Sequence, residues 1–446
     1  MSDSSEINQN TAVSAPPIPD FEDGVPPVAD VAAEPAVSRT APAEGMSRMV
    51  AALRHRDFRL FWSGNFLSNI GTWMQNIAQG WLVLDITNSP FWLGVVGFAS
   101  SIPILFLALV GGVIADHMDK RRLLLITQSA MMIFAFTMAV LTWRHSINVV
   151  EIVLLAMGTG IAMSLNTPSY QALVPQLVPR EDLNNAIVLN AAQFNMSRVI
   201  GPTLGGMAMA LVGAGGNFFL NGLSFLAVIV ALNRISYGKS APMEQGAFWR
   251  KLKQGFVYVF GREEMSVLVI LVAIGSLLAV PYLTFVPYFA RDVLHTDQRG
   301  LGVLMACSGI GSFIAAVTMA WQARTHRRGR QVSFAAMGFY SAIIAFTFSH
   351  SFYLSAGLSM LAGYCLILMA ATLNTLLQHL ADDEMRGRAM SIYSTAFLGL
   401  PPIGSLLAGF LSHLMTAAHA IAGMTLVALG ATFYLYMSRK TLREMN

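Results

Sequence analysis

The chain has 446 residues, of which 55% are hydrophobic and only 12% are charged. An average soluble domain carries about 25% charged residues, so this composition excludes an ordinary soluble domain and indicates a membrane protein. The net charge of +4 does not imply a nucleic-acid partner, because the basic residues cluster between apolar segments, where they act as topology signals.

The first 46 residues are rich in Pro, Ala, Ser and acidic residues, with Arg39 as their only basic residue. This stretch has too little apolar content to fold, and it lacks the apolar core of a cleaved signal peptide. We therefore predict a disordered tail at 1–46.

Twelve apolar segments follow, and each is too long and too apolar for a soluble core helix. They lie at 58–84, 91–115, 121–143, 149–173, 184–211, 216–236, 264–290, 300–322, 331–349, 352–378, 389–413 and 417–438. The sequence therefore predicts an all-α membrane protein with twelve transmembrane helices.

A polar linker at 237–263 separates the sixth segment from the seventh. Four of its apolar residues have the spacing of one helical face: Phe248, Leu252, Phe256 and Val259. Basic residues lie beside them: Arg250, Lys251 and Lys253. This pattern predicts an amphipathic helix on an anionic membrane surface. The linker would join two halves of six helices each, at 47–236 and 264–438, and residues 439–446 would form a second short tail.

Basic residues are distributed unevenly between the two sides of the predicted bundle. Of the 28 Lys and Arg residues, Arg198 falls within a span and Arg144, Arg291 and Arg299 fall opposite the termini, which leaves 24 on the side of the termini. An excess of basic residues marks the cytoplasmic side. We therefore predict that both termini are cytoplasmic and that the protein spans the cytoplasmic (inner) membrane.

The two halves have the features of a parallel repeat, as in several transporter folds. The fourth segment ends in Leu165-Asn166-Thr167, and the tenth contains Leu373-Asn374-Thr375. A charged turn and a helix rich in Gly and Pro follow each of them. A gene duplication is the simplest account, and it predicts two six-helix pseudo-repeats.

The first segment carries a polar stripe whose members fall on one helical face: Asn65, Asn69, Thr72, Asn76 and Gln79. In a membrane helix such a stripe faces protein or water. It could line a central cavity that hydrogen-bonds a substrate, or it could pack helices together through side-chain amides. Trp73 and Gln75 flank the stripe and could add specificity.

The fifth segment contains Asn195 and Arg198, and Arg198 lies roughly 22 Å from the start of the helix at the usual rise per residue. An arginine at this depth is a candidate functional residue, since the cost of facing lipid is high. Asn195 and Arg198 could therefore contact substrate. Alternatively, the guanidinium of Arg198 could bind backbone carbonyls that Pro202 leaves free.

The energy source is inferred from the acidic residues and from missing motifs. Asp85 and Glu151 lie near the outer ends of their segments and are candidate proton sites if burial raises the pKa of either carboxyl; solvation at the interface is the alternative. The sequence has no phosphate loop, so we expect an ion gradient to supply the energy. The spans hold no nucleophile–base set, and Cys307 and Cys365 suggest no disulfide or metal, so we expect no enzyme activity, cofactor or metal.

The turn after the second segment reads Gly112-x-x-x-Asp116-x-x-x-Lys120-Arg121-Arg122. A helix that ends here presents its negative dipole end to Asp116, so this carboxylate needs a partner. The pattern resembles the loop between helices 2 and 3 of the major facilitator superfamily. The resemblance implies the major facilitator fold. It also implies that this loop, from Gly112 to Arg122, joins the two halves on the cytoplasmic side, and we call this contact the latch. We expect Arg386 and Arg388, at the start of the eleventh helix, to belong to the latch; a simple basic anchor for topology is the alternative.

The run Gly201-Pro202-x-x-Gly205-Gly206 resembles the end of the antiporter motif of efflux pumps in that superfamily, although close helix packing explains the glycines equally well. The turns at 178–183 and 382–391 are similar to a subgroup with enterobactin and macrolide exporters. This resemblance implies export of a small, amphipathic molecule such as a siderophore, drug or metabolite, by alternating access and with proton antiport.

We thus expect a monomer whose partners are a small-molecule substrate, H+ as the coupling ion and membrane lipid. If the protein is a transporter, the alternative to an exporter is an uptake permease of the same fold. A membrane sensor or scaffold that moves no solute is the alternative from another class, since fold alone does not fix function.

Overall fold

The computed structural model describes residues 51–235, 248–321 and 328–445. Within these ranges the chain is helical and contains no strand. The predicted disordered tail at 1–46 lies outside the described residues.

The first half of the bundle contains six long helices that coincide with the predicted segments. They are α1 Arg56–Thr87, α2 Pro90–His117, α3 Lys120–Trp143, α4 Val149–Leu173, and α5 (183–212) and α6 (214–234), which are two arms of the continuous stretch Leu183–Arg234. The two arms meet at Gly213, whose φ of 70° and ψ of 179° are non-helical. Positive φ favours glycine, so one residue makes the turn where the sequence predicted a gap of four.

The second half contains the amphipathic helix, the remaining spans and a short C-terminal helix. They are α7 Phe248–Phe260, α8 Glu263–Leu278, α9 Tyr282–Tyr288, α10 Gln298–Trp321, α11 Arg328–Thr347, α12 Phe352–Leu380, α13 Arg386–Leu414, α14 Ala417–Ser438 and α15 Lys440–Glu444. The predicted seventh segment is split into α8 and α9, because Pro281 has no backbone N–H to continue the helix. A π-helical turn, Phe289–Val293, follows α9.

Eight helical stretches of the described chain are long and apolar enough to cross a membrane. One of them, Arg180–Arg234, has 55 residues and holds both α5 and α6. Each of the twelve predicted segments coincides with a helix, or with the α8–α9 pair. The expected fold is confirmed: an all-α membrane protein with two six-helix pseudo-repeats.

Different helix pairs form the contacts within each half and the contacts between the halves. In the first half α1 packs against α5 and α6, and α2 packs against α4. In the second half α10 packs against α12, and α8 packs against α13. The halves meet mainly along two helix pairs, α2 with α13 and α5 with α10.

The two pairs approach most closely at glycines. We call the side where α1 begins and α14 ends the near side, and the opposite side the far side. A Cβ atom on Gly94 would lie 2.9 Å from the Cα of Gly409, and one on Gly206 would lie 3.0 Å from the Cα of Gly302. All four glycines lie in the far-side parts of their helices. The halves are therefore tightly packed on the far side.

The predicted amphipathic helix is present as α7 and lies against the start of α13. A Cβ atom on Gly255 would lie 3.1 Å from the backbone oxygen of Arg388. At the end of α7, Arg262 pairs with Asp382 at 2.7 Å, and this guanidinium lowers the pKa of the Asp382 carboxyl. Phe256 remains exposed, which suits a helix against lipid. The side chains at 248–253 lie outside the described residues.

The predicted C-terminal tail is folded over most of its length. Helix α15 buries Leu442 completely, and the backbone N–H of Gly329 donates to the carbonyl of Met445. Arg439, just before α15, pairs with Glu263 at 2.8 Å. These contacts fix the C-terminus to the near-side ends of α8 and α11.

Candidate functional site

A cavity of about 320 Å³ lies between the two halves. Helices α1, α2 and α5 line it from the first half, and α9, α10, α12 and α13 from the second. Its polar lining residues are Asn76, Gln79, Ser100, Ser101, Arg198, Thr284, Ser308, Ser312 and Ser405. Its apolar wall includes Trp73, Pro287, Met305, Leu366 and Pro402. The site thus combines a hydrogen-bonding face with an apolar face, and Arg198 is the only charged residue in this lining among those that the structure describes.

The polar stripe of α1 is divided along its length. Asn76 and Gln79 line the cavity. Nearer the start of the helix, Asn65 is buried beside Tyr170 of α4, whose hydroxyl donates to Asn190 at 2.9 Å. Thr72 donates to the carbonyl of Ser68 in its own helix. Asn65, Asn69 and Thr72 are not among the lining residues of the cavity. The stripe spans about four turns, and the cavity reaches only its far-side end.

The two residues that flank the stripe have different surroundings. Trp73 lines the cavity. The side-chain oxygen of Gln75 accepts a hydrogen bond of 2.7 Å from Asn221 of α6, and both residues are buried. Gln75 therefore joins two helices of the first half.

Arg198 enters the cavity from α5, whereas the amide of Asn195 donates to the carbonyl of Ala191 in the same helix. The Nη2 atom of Arg198 is buried and has no hydrogen-bond partner within the described residues. Pro202 leaves the carbonyl of Arg198 itself without its helical donor, and this oxygen would lie 3.3 Å from a Cβ atom on Gly309 of α10. The described part of the chain offers no hydrogen bond from the guanidinium to a carbonyl freed by Pro202.

The glycines after Arg198 allow α5 to approach two other helices. A Cβ atom on Gly201 would meet Trp73, and one on Gly205 would lie 2.9 Å from the Cα of Met74, so both face α1. Gly206 faces α10, as described above. The packing interpretation of this motif accounts for each of these glycines.

The two candidate proton sites lie outside the cavity lining. Glu151 forms a capping box with Asn148, whose backbone N–H donates to the Glu151 carboxylate at 2.9 Å. Asp85, at the far-side end of α1, lies 3.6 Å from Arg291 after α9, and Arg291 also pairs with Asp292 at 2.7 Å. Asp85 therefore takes part in a contact between the halves, whereas Glu151 stabilises the start of α4.

The predicted latch residues are spread over two turns on the near side. Gly112 and Asp116 lie in the last part of α2, where the side chains are outside the described residues. Lys120, Arg121 and Arg122 begin α3, and the carboxylate of Asp119 caps this helix by accepting from the N–H of Arg122 at 2.8 Å. The sequence reasoning missed this cap, which is recognisable as an acidic residue directly before a helix.

At the start of α13, the basic latch residues have local partners. Arg386 pairs with Asp383 at 2.6 Å, and Arg388 donates to the sulfur of Met385. Gly387 is exposed, and no described atom lies within 4 Å of a Cβ placed on it. The backbone at Gly387 is therefore accessible, although α7 packs against Arg388 one residue further on.

Sequence reasoning also missed the second half's share of the cavity. Thr284, Ser308, Ser312 and Ser405 face it from α9, α10 and α13. Small hydroxyl residues are a weak signal, because in helices they commonly bond the preceding turn, as Ser312 does with the carbonyl of Ser308 at 2.9 Å.

A bundle of two six-helix halves around a central cavity defines the class of the protein, a membrane protein with the major facilitator fold. Solved structures of this fold are similar to it. The nucleoside transporter NupG gives a TM-score of 0.70 at 11% identity and covers 86% of this chain and 100% of its own. A bacterial homologue of the iron transporter ferroportin, in an inward-facing state, gives 0.67 at 16% identity over 86% and 99%.

The chain belongs to the major facilitator family described as transmembrane secretion effectors, whose model matches residues 47–446. The Staphyloferrin A transporter of Staphylococcus aureus is 25% identical over 389 residues, which cover 86% of this chain and 96% of that protein. The Enterobactin exporter EntS of Citrobacter koseri is 23% identical over 86% and 92%. The Multidrug efflux pump Tap of Mycolicibacterium fortuitum is 23% identical over 75% and 83%. The predicted family is confirmed, and the chain is a multi-pass membrane transporter.

Proposed function

We propose that this protein exports a small, amphipathic molecule across the cytoplasmic membrane by alternating access, as a monomer and with proton antiport. The observation that carries the proposal is the cavity between the halves, with its polar and apolar faces. The names of two relatives, an enterobactin exporter and a multidrug efflux pump, support export. Both termini would face the cytoplasm, so the near side would be the cytoplasmic side.

In this proposal the cavity residues Asn76, Gln79 and Arg198 contact the substrate. Asn69 and Thr72 are partly exposed on the near side of the cavity and would line the path by which substrate enters. Asn65 of α1 and Asn195 of α5 would position the helices that border this entry path. The far-side glycine contacts would then close the exit until the transporter changes state.

Closure of the near side would use the latch. When the near-side ends of α2 and α13 meet, Asp116 would bind the free N–H groups at the start of α13, which the exposed Gly387 leaves accessible. The glycines at 201, 205 and 206 would let α5 stay in close contact with α1 and α10 while the transporter changes between its two states.

Proton coupling would act through Asp85, because Glu151 already serves as a helix cap. Protonation of Asp85 removes its charge and with it the attraction to Arg291. Protonation from the far side would thus weaken a contact that closes the far side.

A comparative export screen tests the proposal. The gene is deleted in its host, and metabolites in the medium and sensitivity to a panel of amphipathic drugs are compared with the parent strain. We expect one or more compounds to stay in the deletion strain and to leave cells again on complementation. Accumulation that depends on the protein would instead show an uptake permease. No substrate-dependent change, followed by no flux in proteoliposomes, would favour a sensor or scaffold.

A further inference from the structure

We infer that the cavity contains an anion subsite in which Arg198 binds a carboxylate group of the transported molecule. This inference rests on the proposed transport function and adds the substrate class. It assigns the substrate as an organic anion with an aromatic or aliphatic body.

The first support is the charge of the cavity. Among the described residues, Arg198 is the one charged residue of the lining, and no Asp or Glu of the described chain belongs to it. Arg198 is partly buried, and a cation in that position without a counter-ion is unfavourable, because it loses hydration that nothing replaces. A bound anion would supply the missing counter-charge.

The second support is the unused hydrogen-bonding capacity of Arg198. Its buried Nη2 has no partner within the described ranges. The guanidinium is a planar fork that matches the two oxygens of a carboxylate. Across the interface, Ser308 of α10 and Thr284 of α9 also line the cavity, and hydroxyl groups can donate to a carboxylate. The Thr284 hydroxyl shares a hydrogen bond of 3.2 Å with Ser405, in which either group can be the donor. A carboxylate held by Arg198 of the first half would thus lie in a cavity that also presents hydroxyl groups of the second half.

The third support is the rest of the wall. Trp73, Met305 and Leu366 line the same cavity. A tryptophan beside aliphatic side chains favours a flat apolar body, while the carboxylate occupies the polar end. The cavity of about 320 Å³ has room for a molecule of two fused rings.

The test compares two probes that have nearly the same shape and differ in charge, 2-naphthoate and 2-naphthamide. Binding to the purified full-length protein in lipid nanodiscs is measured by calorimetry at pH 7.5. We expect the wild-type protein to bind naphthoate at least tenfold more tightly than naphthamide. Arg198→Gln should abolish this preference, and Arg198→Lys should keep only part of it, because lysine retains the charge without the fork.

Two control variants separate the subsite from general effects. Asn76→Ala, in the same cavity, should weaken both probes without changing their ratio. Arg144→Gln changes an exposed arginine at the far-side end of α3 and should leave both affinities unchanged. Thermal unfolding of each variant shows whether it is folded.

Equal affinity of the wild-type protein for the two probes would overturn the inference, and this result needs no variant to fold. A preference that survives in folded Arg198→Gln would overturn it as well. Chloride could instead raise the melting temperature of the wild-type protein but not of Arg198→Gln, while the two probes bind equally. Arg198 would then bind a free inorganic anion, and the substrate subsite would be rejected. If the deletion-strain screen shows export that depends on the protein but the probes bind equally, the subsite alone is rejected. If the deletion strain exports every compound as the parent strain does and proteoliposomes show no flux, the transport function is rejected.

Discussion

The carboxylate of Asp85 at the end of α1 lies 3.6 Å from the guanidinium of Arg291, so an ion pair joins the two halves on the far side. The paired glycines of α2 with α13 and of α5 with α10 lie on the same side. By contrast, Arg386 and Arg388 on the near side bind partners within their own half. The conformation is therefore closed on the far side and held there by backbone packing and one ion pair.

Removal of the Asp85 charge should favour opening of the far side. A pair with a half-exposed carboxylate contributes about 0.2–1 kcal/mol, so Asp85→Asn should shift the balance of states by up to roughly fivefold. Distances between spin labels at Ser146 and Arg299, one in each half, measure the shift. Lowering the pH should have the same effect on the wild-type protein and little on the variant. Arg144→Gln is the matched control, and a shift of equal size there would show a general charge effect.

Addition of a methyl group at Gly206 should prevent the close approach of α5 and α10. The Cβ of Gly206→Ala would lie 2.6 Å from the carbonyl oxygen of Gln298, and overpacking of this kind costs about 1–3 kcal/mol. The melting temperature should therefore fall, and the same far-side distances should increase. Gly430→Ala is the matched control, because no atom lies within 4 Å of its added Cβ. If Gly206→Ala has the same melting temperature and the same far-side distances as Gly430→Ala, Gly206 has no role in packing α5 against α10.

Loss of the Asp116 charge should favour the state open on the near side. A carboxylate at a partly buried helix start is worth up to about 2 kcal/mol, or roughly thirtyfold in a two-state balance. Asp116→Asn should therefore slow turnover more than it weakens substrate binding. Spin labels at Met118 and Ser391 report the near-side distance between α2 and α13. Asp119→Asn, which affects the cap of α3, is the control, and an unchanged distance distribution in Asp116→Asn would make Asp116 an ordinary loop charge.

Cysteine labelling should place the near side in the cytoplasm. In a background without Cys307 and Cys365, single cysteines at Ser240 and Thr325 should react only after the membrane is made permeable to the reagent. A cysteine at Thr296 should react from outside in intact cells. The uneven distribution of basic residues is the physical reason. The reverse pattern of labelling would reject the predicted orientation.

Local patterns in the sequence were sufficient to predict where the helices lie and which family the chain belongs to. Runs of about 20 apolar residues give the spans, since a helix must bury its backbone polar groups to cross lipid. The basic run at Lys120–Arg122 and the glycines after Pro202 gave the superfamily resemblance that the family match confirms. The depth of Arg198 also follows from sequence, because helix rise converts residue number into distance.

The tertiary structure decided which residues face one another. Periodicity placed Asn65 and Gln79 on the same face of α1, but only the packing of α4 and of the second half determines that Asn65 meets Tyr170 while Gln79 meets the cavity. Likewise, no local pattern pairs Gly206 with Gly302, or Asp85 with Arg291, across the two halves. A helical pattern fixes the direction of a side chain relative to its own axis, whereas the position of the neighbouring helix depends on contacts between residues far apart in the chain.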